Sequence, residues 1–168
     1  TEADPGEEGE ILLTGPGVTP GYWNDEESTA AALRDGWLHS GDLGTRDAEG
    51  RLQFVDRLKD LIITGGINIS PVELERVIGE IEGVEEVAVI AAKDPRFGET
   101  PAAIVTVTGD VDEVAIVEHC DRLVADCKVP RYVVIRTEPL PRLPSGKLSK
   151  TAIRSEYRDV SERSSKVR

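Results

Sequence analysis

The run Asp56 to Glu75, DRLKDLIITGGINISPVELE, constrains this chain more tightly than any other stretch. Its last residues fix where a helix begins. Ser70 takes the N-cap, Pro71 the first helical position, where its missing N–H is no loss, and Glu73 the third, completing a capping box. Upstream, Arg51 to Asp56 alternates polar with apolar and reads as a strand. The pattern breaks at Leu58-Lys59-Asp60, resumes as a short strand from Asp60 to Thr64 and stops at Gly65-Gly66. Two strand-like pieces therefore meet at Lys59, followed by a glycine turn. On the residues alone two readings stay open. One is a plain hairpin followed by a helix, which periodicity favours. The other is a hinge between two domains followed by a ligand-facing loop.

The flanking sequence supplies the elements of a small α+β body. Glu10 to Thr14 has strand composition, and Gly15-Pro16-Gly17 and Pro20-Gly21 punctuate the loop after it. Tyr22 and Trp23 are assigned to core packing ahead of stacking on a base. Asp25 caps a short helix running to Arg34. Trp37 to His39 reads as a strand entering Ser40-Gly41-Asp42, where the glycine lets the backbone turn and leaves a carboxylate exposed. Such a carboxylate accepts two hydrogen bonds side by side, which suits a vicinal diol; an aspartate closing an ordinary turn is the competing reading. His39 is assigned a structural role, because no nucleophile is placed beside it.

The helix from Pro71 to Glu82 carries Leu74, Val77, Ile78 and Ile81 on one stripe, with Gly83 as its stop. Strands follow at Val84 to Ala92 and Ala102 to Thr108, joined by a loop over Asp94 to Glu99. Asp112 caps a second helix, Glu113 to Asp126. A strand over Tyr132 to Ile135, a proline-stiffened loop from Pro139 to Lys147 and a last helix, Leu148 to Arg158, complete the order. Lys150 and Arg154 read as solvated helix charges, and Ser155 to Arg168 as a fraying polar end. Helices packed on a mixed sheet satisfy this order.

Charge excludes some functions. A formal charge of −12 with 31% charged residues argues for a soluble protein and against a nucleic-acid surface. No apolar run reaches the length of a membrane span, and Thr1 to Glu10 is too acidic for a secretory signal. Cys120 and Cys127 are expected on one helix face, two turns or about 10 Å apart, beyond disulfide reach. They read as core thiols, without the partners a metal site needs, and suit a reducing cytoplasm.

Four stretches in register carry a family resemblance. They are GEILLTGPGVTPGYWNDEEST (Gly9 to Thr29), GWLHSGDLG (Gly36 to Gly44), DRLKDLIITGGINISPVELE and LPRLPSGKLSKTAIR (Leu140 to Arg154). Together they resemble the adenylate-forming, or AMP-binding, superfamily, which contains acyl-CoA synthetases, peptide-synthetase adenylation domains and luciferases. The wording GGINISPVE is most similar to the CoA ligases, fatty-acid–CoA ligases among them. In that family these motifs lie at the C-terminal end of a much longer enzyme. The resemblance therefore implies a fragment. Residues 1–57 would be the strand-rich end of a large N-terminal domain and 58–168 a small α+β lid, a mixed sheet packed by about three helices.

The resemblance also implies roles. Asp42 and Arg57 would hold the ribose hydroxyls of ATP, and Lys59 would be the hinge. Gly65, Gly66 and Asn68 would line the path of the CoA pantetheine arm. Lys147 would contact the substrate carboxylate and the α-phosphate during adenylation. One departure stands out: Ile67 replaces a glutamate common in the family. The implied reaction joins a carboxylic acid to ATP as an acyl-adenylate, then to CoA as a thioester. Magnesium would be held by the absent domain, and the partners would be that domain and, at Lys147, a lysine acetyltransferase. The acceptor could instead be a carrier protein, as for a peptide-synthetase adenylation domain. The isolated piece could also be a non-catalytic lid or interaction module.

Overall fold

The computed structural model describes residues 2–168 and divides into two compact units, 1–59 and 60–168. The first unit contains β1 (Glu8–Leu13), α1 (Glu26–Ala32), β2 (Leu33–Arg34), β3 (Trp37–Arg46) and β4 (Leu52–Arg57). β3 is the organising strand, pairing antiparallel with β1, β2 and β4. Its register jumps: Glu10 of β1 faces Leu43, but Leu12 faces His39. Ser40, Gly41 and Asp42 are thus a bulge inside one long strand, rather than a turn that ends a short one. A bulge re-aims side chains without breaking the sheet. Gly41, at φ 71, takes the left-handed conformation that this requires.

Among the described residues of this unit only Leu43, Gly44 and Asp56 are buried. Leu12, Leu13, Trp37, Leu52 and Phe54 all remain exposed. The core role expected for Tyr22 and Trp23 is not found. They are 54% and 92% exposed, on a tight turn where Asn24 has φ 50. The sheet has no buried face there to receive them.

The second unit contains β5 (Ile62–Thr64), β6 (Ile67–Ile69), α2 (Pro71–Gly79), β7 (Val84–Asp94), β8 (Gly98–Val107), α3 (Glu113–Leu123), β9 (Tyr132–Arg136), α4 (Lys150–Glu156) and α5 (Val160–Arg163). Its sheet runs β6-β5-β8-β7, all antiparallel, and β9 pairs parallel to β8, so the sheet is mixed as expected. Alternation along β7 and β8 splits the core into two layers. Val89, Ala103 and Val105 pack with Leu74, Ile78, Ile116 and Cys120 of α2 and α3. Ala88, Ile90, Ala102 and Ile104 pack with Leu140, Ile153 and Val160 on the α4 and α5 side. A sheet covered on both faces explains the near-continuous apolar run of β7.

The starts of α1, α2 and α3 follow the sequence, and α4 starts at Lys150, two residues after the expected Leu148. Ser70 Oγ accepts from the Glu73 N–H, and Asp25, Asp112 and Ser149 cap α1, α3 and α4 in the same way. Ends differ. α2 stops at Gly79, and Gly83 instead closes a turn whose carbonyl accepts the Thr108 N–H at 2.7 Å. α3 stops at Leu123 because Val124 turns extended to pack on the core. Cys127 falls on a separate turn, Asp126–Lys128, so the two cysteines share no helix face; Cys120 is buried, and burial pushes its thiol up to about 11. The terminal residues are not frayed. Val160 is buried, the Val167 N–H donates to the Arg131 carbonyl at 2.9 Å, and Lys166 and Arg168 are ion-paired.

Candidate active-site elements

In the first unit the β3 bulge brings two expected residues together. Asp42 and Arg57 are cross-strand partners of β3 and β4, and Arg57 Nε lies 3.3 Å from Asp42 Oδ1. The arginine side chain is 57% exposed, so its remaining donors face solvent. The bulge is braced from β1. Glu10 Oε1 accepts the Gly41 N–H at 3.1 Å, and its Oε2 lies 2.7 Å from His39 Nδ1. These bonds, the His39 contact first, hold the Glu10 carboxyl below its ordinary pKa. Ser40 Oγ donates to the Ile11 carbonyl at 2.7 Å and accepts the Asp42 N–H at 3.0 Å. His39 is thereby tied across the sheet to β1. Glu10 is the supporting residue that sequence reasoning missed; its only signal was an acid opening an apolar strand.

Lys59 lies on a single 3-10 turn, Leu58–Asp60, and the division between the units follows it. Asp60 is held within the second unit by Arg154, whose Nη1 lies 2.8 Å from Oδ1. Lys150 likewise pairs with Glu75 at 2.8 Å. Neither is the solvated charge expected, because α4 packs beside the carboxylates of α2 and of the 3-10 turn.

Gly65 and Gly66 are the two turn residues of a hairpin between β5 and β6, with Thr64 opposite Ile67. Their φ values of 56 and 86 are the pair that a type I′ turn demands. The hairpin expected between the two strand-like pieces on either side of Lys59 is not formed, since β4 pairs with β3 and β5 with β6 and β8; the hairpin present is β5–β6, and β6 is a strand not foreseen. The turn is exposed, as are Ile67 and Asn68 after it. The Gly65 N–H donates to the Phe97 carbonyl at 2.9 Å.

Lys147 ends a tightly closed loop. The Leu143 N–H donates to the Lys147 carbonyl, and the Gly146 N–H to the Leu143 carbonyl, each at 2.8 Å. Arg142 bonds the Gly146 carbonyl at 2.6 Å and also pairs with Glu86. The second Glu86 oxygen accepts the Leu140 N–H at 2.7 Å, so one β7 carboxylate anchors the start of the loop, and Arg142 links it to Gly146 near the end. That Leu140 bond leads in holding the Glu86 carboxyl below its ordinary pKa. The Lys147 side chain is exposed and, like those of Lys59 and Lys93, makes no ion pair among the described residues, whereas Lys128, Lys150 and Lys166 each do. The Lys147 loop thus offers an uncommitted ammonium, and the β5–β6 hairpin a bare backbone turn.

Residues 73–147 match the family described as AMP-binding enzyme C-terminal domain. That stretch, somewhat under half of the chain, belongs to that family. The AMP-binding enzyme domain has similar sequences among CoA ligases. The 2-succinylbenzoate–CoA ligase of Listeria innocua is 43% identical over 151 residues, which cover 90% of this chain and 32% of that protein. The long-chain-fatty-acid–CoA ligase FadD13 of Mycobacterium tuberculosis is 44% identical over 151 residues, covering 89% of this chain and 30% of that protein. The chain therefore spans about a third of the length of the curated relatives it matches. Among solved structures, ATP-bound MatB from Rhodopseudomonas palustris superposes with a TM-score of 0.88 at 37% identity, over 94% of this chain and 32% of that one.

Proposed function

We propose that the longer protein to which this AMP-binding enzyme domain belongs is an acyl-CoA synthetase. In its first step a carboxylate oxygen attacks the α-phosphorus of ATP and the bond to pyrophosphate breaks. Two anions must approach, and negative charge redistributes in transit. The Lys147 ammonium supplies the compensating point charge. The uncommitted Lys147 side chain on its braced loop is the observation that carries this reading. Lys59 and Lys93 are likewise exposed and make no ion pair among the described residues, so what sets Lys147 apart is its place at the end of a braced, hydrogen-bonded loop.

In the second step the CoA sulfur attacks the acyl carbon and AMP leaves. The exposed Gly65-Gly66 turn, with Asn68 beside it, lets a pantetheine chain run close to backbone without side-chain obstruction. Asp42 and Arg57 present an acceptor and free donors suited to the ribose diol of ATP and AMP. Lys59 is the pivot between steps, its role one of backbone dihedrals. The first unit, whose apolar side chains lie open, is the end of a large domain, and the second is the lid. Magnesium, which one or two carboxylates and the phosphates of ATP suffice to hold, would be bound by the large domain.

The CoA acceptor is favoured over a carrier protein by the names of the relatives. Exposure of Lys147 also makes it open to a lysine acetyltransferase, and acetylation removes the cation. Full adenylation activity after stoichiometric acetylation would remove that idea. The function itself is tested by pyrophosphate release from the full-length protein with short, long and aromatic acids. Release that depends on both acid and ATP, followed by CoA-dependent AMP formation, supports it; no acid-dependent release with any class overturns it.

A further inference from the structure

We infer that Lys166, distant in sequence from every motif above, is a positioning residue for the Gly65-Gly66 turn. The chain of contacts is short. Lys166 Nζ lies 2.9 Å from Oδ2 of Asp94, whose side chain is only 1% exposed. Arg131 approaches the same oxygen at 3.7 Å. The other Asp94 oxygen accepts the backbone N–H groups of Arg96 and Phe97 at 2.9 and 3.0 Å, shaping the turn between β7 and β8. That turn delivers Phe97 to the glycines: its carbonyl takes the Gly65 N–H, and its ring leaves only 3.2 Å to where a Gly65 Cβ would stand. Arg96 and Arg131 flank the Phe97 ring at 4.9 and 4.6 Å.

Lys166 is itself held. The Val167 N–H bonds the Arg131 carbonyl at 2.9 Å, and Arg168 pairs with Asp121 and Asp126. The segment after α5 is therefore a strap. It neutralises a buried carboxylate whose backbone bonds set the shape of the thiol-facing turn. Removing the ammonium leaves that carboxylate short of its nearest cation and loosens the turn beneath Gly65. The inference rests on the function proposed above, because only that reading assigns the glycine turn to one step and Lys147 to the other. It adds a residue that touches neither nucleotide nor thiol.

The test uses Lys166→Ala and Lys166→Arg in the full-length protein, with the two half-reactions assayed apart. In Lys166→Ala we expect pyrophosphate release to stay within about twofold and the KM for CoA with supplied acyl-adenylate to rise about tenfold, with Lys166→Arg restoring it. Deuterium uptake over residues 61–67 should accelerate while that over 132–136 stays unchanged. Equal loss in both steps, or an unaltered KM for CoA, overturns the inference. Should the alanine variant fail to fold, Lys166→Gln is read by the same two outcomes. Lys147→Ala run in parallel separates the failures. If it leaves pyrophosphate release intact, the proposed function falls; if it abolishes release while Lys166→Ala leaves the thiol step untouched, only this inference falls.

Discussion

Lys147 owes its free ammonium to what its neighbours do with their charges. Arg142 takes Glu86, Lys150 takes Glu75 and Arg154 takes Asp60, so the basic residues around the loop are committed and one is left. Asp94 shows the same pairing in a buried setting. Its carboxyl is lowered from 3.8 to about 2, chiefly by the Lys166 hydrogen bond and then by the backbone N–H groups, against the opposing effect of burial. A depressed carboxyl stabilises the fold above its unfolded pKa and loses that contribution as pH falls through its folded value. Asp94→Asn should therefore destabilise the second unit at neutral pH by about 1–2 kcal/mol, with solvent screening at the half-exposed lysine allowed for. The deficit should shrink between about pH 4 and pH 2, measured by urea unfolding across pH. A deficit that does not change with pH would contradict the assignment. None of these pairs was legible in the sequence, because each joins residues far apart in the chain. The roles proposed for Asp42, Arg57 and Lys147 come only from the motifs.

The β5–β6 hairpin shows how a short element can be read correctly and still be incomplete. Gly65-Gly66 announces a turn of positive φ, yet Ile67-Asn68-Ile69 is too short to declare itself a strand before its partner is known. A Cβ at position 66 would meet nothing within 4 Å, so any penalty there comes from the backbone and not from crowding. Gly66→Val should cost about 1–2 kcal/mol in the second unit, since a β-branched residue resists φ 86. It should also slow thioester formation from supplied acyl-adenylate, with pyrophosphate release retained. A valine variant with unaltered thiol kinetics would count against the turn as the path of the pantetheine arm. α4 starts two residues after the expected Leu148, behind Ser149, whereas the starts of α1, α2 and α3 were read to the residue because capping is local. Helix ends were not, since Gly83 and Val124 answer to a strand and to the core.

Across the chain, the two units differ in how well they enclose themselves. The second buries both faces of its sheet under helices, which is why its strand and helix order could be read from periodicity. The first leaves Trp37, Phe54 and neighbouring leucines open, so apolar residues there gave no guide to burial and misplaced Tyr22 and Trp23. On the proposed function, the second unit carries a separate instrument for each chemical step. The full-length protein bearing Lys147→Ala, with its half-reactions measured apart, probes that division most directly. Pyrophosphate release should fall by about 10²–10³-fold while thioester formation from supplied acyl-adenylate stays within about twofold. Equal loss in both steps, or undiminished release, would contradict it.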